Sequence, residues 1–273
     1  MKMYVCTDLH GHYEIFSHMK NYMDTQEDRE WRCIFLGDAC DRGPNGYVIM
    51  QELLADNRFI YLKGNHEDLF VKSAKRVYAI MGEDYDMARV PIPQTFSEAT
   101  DWIYDHAGDP DIRLYINNGG APTLRDWILD KMPMSFVKKI DDLNVSCSYG
   151  NFDFCHAGCR LSTWTKDEYD DNDLEEMIWS RSHFTENWAP GRFLIHGHTP
   201  SPSFIEDMSF WDLEITPVFE DERREAVPYV YQNDSKINLD TGLFRTGAAY
   251  LLLIPKEEND GEFNFEAIQF IEQ

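Results

Sequence analysis

Five short segments concentrate the side chains that bind metal ions and move protons: Asp8-Leu9-His10-Gly11, Gly37-Asp38-Ala39-Cys40-Asp41-Arg42-Gly43, Gly64-Asn65-His66-Glu67, His156-Ala157-Gly158 and His196-Gly197-His198-Thr199-Pro200. Carboxylate, imidazole and amide-oxygen donors in one set suit Mn²⁺, Fe or Zn²⁺. Two such ions that share a carboxylate make a site for phosphate-ester hydrolysis. Singly, each segment is weak, because Asp-x-His arises often by chance and a lone strand-end histidine is more often a hydrogen-bonded structural residue. Their force lies in order and placement, since each follows an apolar run of the kind that forms a buried strand.

The first three of those runs are residues 2–7, 31–36 and 59–62. Between them Ile15, Phe16, Met19, Tyr22 and Met23 share one helix face, and Tyr47, Met50, Leu53 and Leu54 share another. The resulting β-α-β-α-β start predicts parallel strands, whose carboxyl ends open on the crevice where ligands bind. Residues 68–139 read as mainly helical, broken at Gly119-Gly120 and Pro133, with Trp102 and Trp127 as anchors. Strand patterns return at residues 144–148, 152–155, 193–195, 237–239, 249–254 and 263–270, the last alternating at Phe263, Phe265 and Ala267. There is no internal repeat, low-complexity tract or long linker. The expectation is one α/β domain, residues 1–273, of two packed mixed sheets flanked by helices, with a helical insertion at about 68–139.

Composition narrows the function. The chain has 273 residues, and 25 basic against 49 acidic residues give a net charge of −24, which repels polyanions and argues against a nucleic-acid partner. The acidic runs at residues 167–176 and 220–225 read as solvated surface. No stretch is long and apolar enough to span a membrane, and the first residues lack a secretory pattern, so a cytoplasmic location is expected. The six cysteines read as reduced core thiols. Cys155 and Cys159 flank a histidine, but no second pair at zinc-finger spacing accompanies them. Neither G-x-x-x-x-G-K-[ST] nor G-x-G-x-x-G follows the first strand, which argues against a nucleotide-binding loop.

The five segments resemble the signature of the phosphoprotein phosphatase family within the calcineurin-like metallophosphoesterases: G-D-x-H-G, G-D-x-x-D-R-G, G-N-H-E, H-[GA]-G and a late G-H-T. The later Asp240-Thr241-Gly242 resembles the bacterial and phage-type serine/threonine protein phosphatase branch. Thr7 stands where the family has its first glycine, Ala157 replaces a common glycine, and Cys40 fills a usually aliphatic position. The resemblance implies the metallo-dependent phosphatase fold. It also implies that Asp8 and His10 hold one metal, that Asp38 bridges two, and that Asn65, His156 and His198 complete the second. His196 is the alternative in the last segment, but the histidine before threonine is the ligand in similar sequences. Arg42, together with Arg181 of Trp179-Ser180-Arg181, would grip phosphate oxygens, for which the guanidinium fork is shaped. For Arg181 a surface ion pair is an equally simple account. His66, oriented by Asp41, would protonate the leaving oxygen.

The expected activity is hydrolysis of phosphate monoesters, phosphoserine and phosphothreonine in proteins first, by a hydroxide bridging two divalent ions. Manganese is expected first, with iron or zinc as alternatives. Substrates would be a phosphorylated protein or a small phosphoester. Symmetrical cleavage of a dinucleoside tetraphosphate is the competing activity, and a non-catalytic scaffold on the same fold is the competing class. The intact set of expected ligands argues against the scaffold.

Overall fold

The computed structural model describes residues 1–26, 30–86, 92–218, 224–232, 234–255 and 265–272. Three short strands, β1 (Lys2–Cys6), β2 (Trp31–Phe35) and β3 (Phe59–Tyr61), run parallel, with α1 (Tyr13–Thr25) and α2 (Gly46–Ala55) between them. Five helices follow: α3 (Asn65–Asp86), α4 (Phe96–Asp105), α5 (Pro110–Asn117), α6 (Ala121–Leu129) and α7 (Met134–Asp141). The chain then forms β4 (Ser146–Tyr149), β5 (Phe152–Cys155), α8 (Leu161–Trp164), α9 (Asp171–Trp179), β6 (Phe193–His196) and α10 (Ser201–Phe210). It ends in β7 (Ile215–Pro217), β8 (Tyr229–Tyr231), β9 (Lys236–Asn238), α11 (Leu243–Thr246), β10 (Ala248–Leu253) and β11 (Glu266–Ile271).

These strands form two mixed sheets, ordered β11-β10-β1-β2-β3 and β4-β5-β6-β9-β8-β7. Within the second, β5, β6 and β9 are parallel and the outer strands antiparallel. Period-two alternation explains how the first sheet serves two cores at once. Met3, Val5, Ile34, Tyr250 and Leu252 face the second sheet and meet Phe154, Ile195, Ile237 and Leu239. Their neighbours Tyr4, Cys6, Cys33, Phe35 and Leu251 face the helices and meet Phe16, Met50, Phe70 and Trp127. Each large side chain buried this way contributes roughly 1.5–3 kcal/mol, so a slip of one residue would exchange the two cores.

The expected helical stretch is present as α3–α7, with Trp102 and Trp127 both buried. Thr95 and Glu98 form a capping box on α4, and Asp109 with Pro110 starts α5. The six cysteines are free thiols, and Cys155 and Cys159 pack with Met177, Trp188 and Leu194 in an apolar cluster on the outer face of the second sheet. Among the described residues no helix is long and apolar enough to cross a membrane.

Two strands carry no local signal, and one sequence expectation needs correction. β7 and β8 were not anticipated: each is three residues long, and Pro217 belongs to one of them, so neither shows a strand period. Within the acidic run 167–176, Asp173 is buried, because it closes the capping box with Asp170 at the start of α9 and receives the Lys166 ammonium. Phe263 and most of the run 220–225 lie outside the described residues.

Candidate active site

The carboxyl ends of β1, β2 and β3 and those of β5 and β6 converge, and each is followed directly by one of the five polar segments. The ligand atoms of His10, Asp38 and His66 lie within 4.8 Å of one another, and so do those of Asp38, His156 and His198. Asp38 belongs to both groups. Its Oδ2 is 3.7 Å from His10 Nε2 and 3.8 Å from His66 Nε2, while its Oδ1 is 3.4 Å from His156 Nε2. Asp8 Oδ1 lies 3.9 Å from His10 Nε2. Asn65 Oδ1 faces His156 Nε2 at 2.9 Å and His198 Nδ1 at 3.0 Å. The structure thus brings all six residues expected to hold metals into one buried cluster.

Carbonyl groups set the histidine tautomers, since a ring nitrogen facing a carbonyl must donate. His10 Nδ1 donates to the Cys40 carbonyl, His156 Nδ1 to that of Leu36, and His198 Nε2 to that of Trp179. The opposite nitrogens turn into the cluster. Burial, with the neighbouring charge of His66, holds His10 well below the ordinary imidazole pKa; burial, with His156, does the same for His198. His198 Nδ1 therefore carries a lone pair aimed at a second acceptor, Asn65 Oδ1. Two lone pairs 3.0 Å apart suit neighbouring ligands of one ion, and the donor set around them fits a divalent metal. Burial opposes charge on Asp38, but His156, His66 and His10 outweigh it and hold the carboxyl well below its usual range.

The local backbone is strained. Asp8, His10, Asp38, Asp41, Arg42 and His198 all have φ between 43° and 72°. Such a conformation costs a non-glycine residue roughly 1–3 kcal/mol and persists only where surrounding contacts over-determine it. Glu67, fully buried, supplies many of them. Its carboxylate accepts from the backbone N–H groups of Asp38, Ala39 and Gly64 and from the Tyr61 hydroxyl, at 2.7–2.9 Å. Bonds to a charged acceptor contribute roughly 1.5–3 kcal/mol each, enough to offset the strain. Gly64 is required by space, since a Cβ there would sit 2.3 Å from Asp38 Oδ1.

His66 is held differently. Its Nδ1 lies 2.7 Å from Asp41 Oδ2, and the other Asp41 oxygen accepts the Tyr115 hydroxyl. Thr123 Oγ1 accepts from the Asp41 backbone N–H. Burial opposes charge on His66, but Asp38 and Asp41 outweigh it and raise its pKa. Arg42 reaches over both rings, with its guanidinium nitrogens 2.5 Å from His10 Nε2 and 3.2 Å from His66 Nε2. Arg181 Nε donates to Thr199 Oγ1 at 2.9 Å, and its charge helps to depress His198. Among the described residues no carboxylate pairs with either arginine. The surface ion pair considered for Arg181 does not form among the described residues. His196 turns away, its Nε2 2.7 Å from the Tyr231 hydroxyl, with burial lowering its pKa to about 3.

A sequence model of the calcineurin-like phosphoesterases matches residues 1–207. The chain belongs to the calcineurin-like phosphoesterase family. Members of this family depend on two metal ions and hydrolyse phosphoester bonds. Solved structures support the fold. One is a candidate diadenosine tetraphosphatase, 11% identical, with 98% of this chain and 93% of that one covered at a TM-score of 0.53. A cold-active protein-tyrosine phosphatase from Shewanella sp. is 17% identical, with 97% and 80% covered and a TM-score of 0.51. A protein serine/threonine phosphatase from Saccharomyces cerevisiae is 13% identical, with 100% and 81% covered and a TM-score of 0.50. At such identities the likeness establishes the architecture alone. Among curated proteins no sequence matches significantly.

Several residues of this phosphoesterase site went unassigned in the sequence. Glu67 stood inside a recognised motif with no role given to it. Tyr115 and Thr123 reach Asp41 from the helical stretch, 74 and 82 positions away. Thr7, the departure from the family glycine, gives its hydroxyl to Asp8 Oδ2 at 2.5 Å. Beyond Trp179 and Ser180 opens a groove of about 600 Å³, lined also by Arg160, Thr163, Asn172 and Glu175.

Proposed function

We propose that the protein hydrolyses phosphate monoesters of aliphatic alcohols, phosphoserine and phosphothreonine in proteins, with Asp8, His10, Asp38, Asn65, His156 and His198 holding two divalent ions, manganese first. The observation that carries this reading is the buried pair of His66 and Asp41, 2.7 Å apart, with Tyr115 on the other Asp41 oxygen. A serine or threonine alkoxide is a poor leaving group and needs a proton as the ester bond breaks. A phenolate needs one less, and an activated phenolate or a nucleotide phosphate far less. A supported general acid therefore favours the aliphatic ester.

The ions, when bound, would neutralise phosphoryl charge and ionise water near neutral pH. The chain's own residues do the rest. Asp41 accepts the Nδ1 proton of His66 and so presents Nε2, carrying a second proton, to the leaving oxygen. Arg42 and Arg181, paired with no carboxylate among the described residues, would grip the ester's non-bridging oxygens, with several donors that match a dianion. Tyr115 stays protonated, because burial and the Asp41 charge push its pKa well above the phenol value, so it holds Asp41 by donation.

The test is a panel of phosphoserine, phosphothreonine and phosphotyrosine peptides, an aryl phosphate and a dinucleoside tetraphosphate, assayed with Mn²⁺. The phosphoserine and phosphothreonine peptides should give the highest kcat/KM. A preference for the dinucleoside tetraphosphate would replace this reading with the nucleotide hydrolase.

A further inference from the structure

Asp240-Thr241-Gly242 has no part in the reaction above, yet the structure places it beside the site. Asp240 is buried, and its Oδ1 accepts the Gly242 N–H at 2.7 Å. The Thr241 hydroxyl donates to the Ala248 carbonyl, which anchors the turn to β10. Gly242, at φ 68°, then reverses the chain into α11. That reversal buries Leu243 and turns Phe244 outward, 36% exposed. The Arg42 Cζ lies over the Phe244 ring, 4.1 Å from its centroid, and the same ring meets His10 edge-on at 5.8 Å.

Arg42 needs such a support. Its backbone is left-handed at φ 62°, its side chain is exposed, and no carboxylate among the described residues holds it. Its guanidinium otherwise contacts His10 Nε2 and His66 Nε2, the two nitrogens assigned to a metal and to the leaving oxygen. Among the described residues, the aromatic face is a guanidinium contact that competes with neither role. It also uses none of the in-plane N–H groups of the guanidinium, whereas a carboxylate partner would consume them.

We propose that Phe244 is a positioning residue for phosphate binding, its ring fixing the plane of the Arg42 guanidinium so that the N–H groups aim at phosphate oxygens. This rests on the assignment of Arg42 as a phosphate clamp. The Asp240–Gly242 turn then belongs to the active site, as the device that delivers Phe244.

Steady-state kinetics on a phosphoserine peptide and the inhibition constant of inorganic phosphate, both with Mn²⁺ content measured, test it. Phe244→Ala should raise KM and the phosphate inhibition constant by about threefold to thirtyfold, the range of a cation–π contact, with kcat much less affected. Phe244→Tyr should restore both constants, and Phe244→Leu, which keeps packing without a π face, should restore them only in part. In an Arg42→Ala background Phe244→Ala should add nothing. Phe244 is exposed, so its truncation opens no core cavity. If Arg42→Ala raises KM while Phe244→Ala changes neither constant, or if the two effects multiply, Phe244 does not act through Arg42 and the proposal falls. If Arg42→Ala itself leaves both constants unchanged, the clamp assignment has failed, and the proposal with it.

Discussion

The two walls of the site are built to different standards. On the wall from β1–β3, Asp38, Asp41 and His66 are buried, and each is fixed by groups from distant parts of the chain: Glu67 beneath the Asp38 turn, Tyr115 and Thr123 around Asp41. On the wall from β5 and β6, His156 and His198 are buried, but Arg181 is exposed, held at its Nε by the Thr199 hydroxyl, and the surface beside it opens into the groove. Metal and proton chemistry tolerates little misplacement, which explains the over-determined wall. A wall that meets the variable part of a substrate gains from openness. Under the proposed function, proton transfer falls to the first wall, the metals to ligands from both, and much of substrate choice to the open part of the second.

The largest effect should follow from altering Asp38. As the carboxylate common to both groups, Asp38→Asn removes a negative charge that His10, His66 and His156 all face. Metal content should fall at both positions together and activity by on the order of 10³ or more, since each ion contributes several kcal/mol to the transition state. Elemental analysis that found the variant fully loaded would remove the bridging assignment and the centre of the rigid wall.

Much of this was legible in the sequence, and the remainder has a physical reason for being hidden. The five polar segments each follow an apolar run, and local pattern alone was enough to place Asp8, His10, Asp38, Asn65, His156 and His198 at strand ends. The packed sheets followed from the same runs, except for β7 and β8, which take their strand character from pairing with β9 and each other rather than from any period of their own. The supports were invisible because they are long-range. Nothing local in residues 110–123 marks Tyr115 or Thr123 as partners of Asp41, and nothing near Gly242 marks Phe244 as the neighbour of Arg42. Glu67 shows the limit within a motif, where adjacency named the residue but not the three backbone N–H groups that it gathers.

A smaller loss should follow from His66→Asn, and it sharpens the comparison by separating chemistry from metal binding on the same wall. Metal content should stay near that of the wild type, while kcat on a phosphoserine peptide falls by roughly 10²–10⁴. An activated aryl phosphate, whose leaving group needs no proton, should lose much less. Equal losses on both substrates would assign His66 to the metals, a role that its 3.8 Å approach to Asp38 Oδ2 permits geometrically.

The smallest effect is expected on the open wall. Arg181 is exposed and held through its Nε, so part of any charge it offers a phosphate is screened by solvent. Arg181→Ala should therefore raise KM for a phosphopeptide roughly tenfold, the value of one partly screened charged hydrogen bond, and leave kcat within about threefold. Screening makes a second expectation: the penalty should shrink as ionic strength rises, because added salt weakens the wild-type contact and has nothing to weaken in the variant. The groove beside Trp179 and Ser180 supplies the contrast within the same wall. If Arg181 grips the phosphate itself, its loss should raise KM by the same factor for a phosphopeptide and for phosphoserine alone. If it instead orients the peptide into the groove, only the peptide should suffer. Either pattern keeps Arg181 in substrate binding, whereas a variant with unchanged KM on both substrates at low salt would leave Arg42 as the lone phosphate clamp and confine substrate binding to the rigid wall.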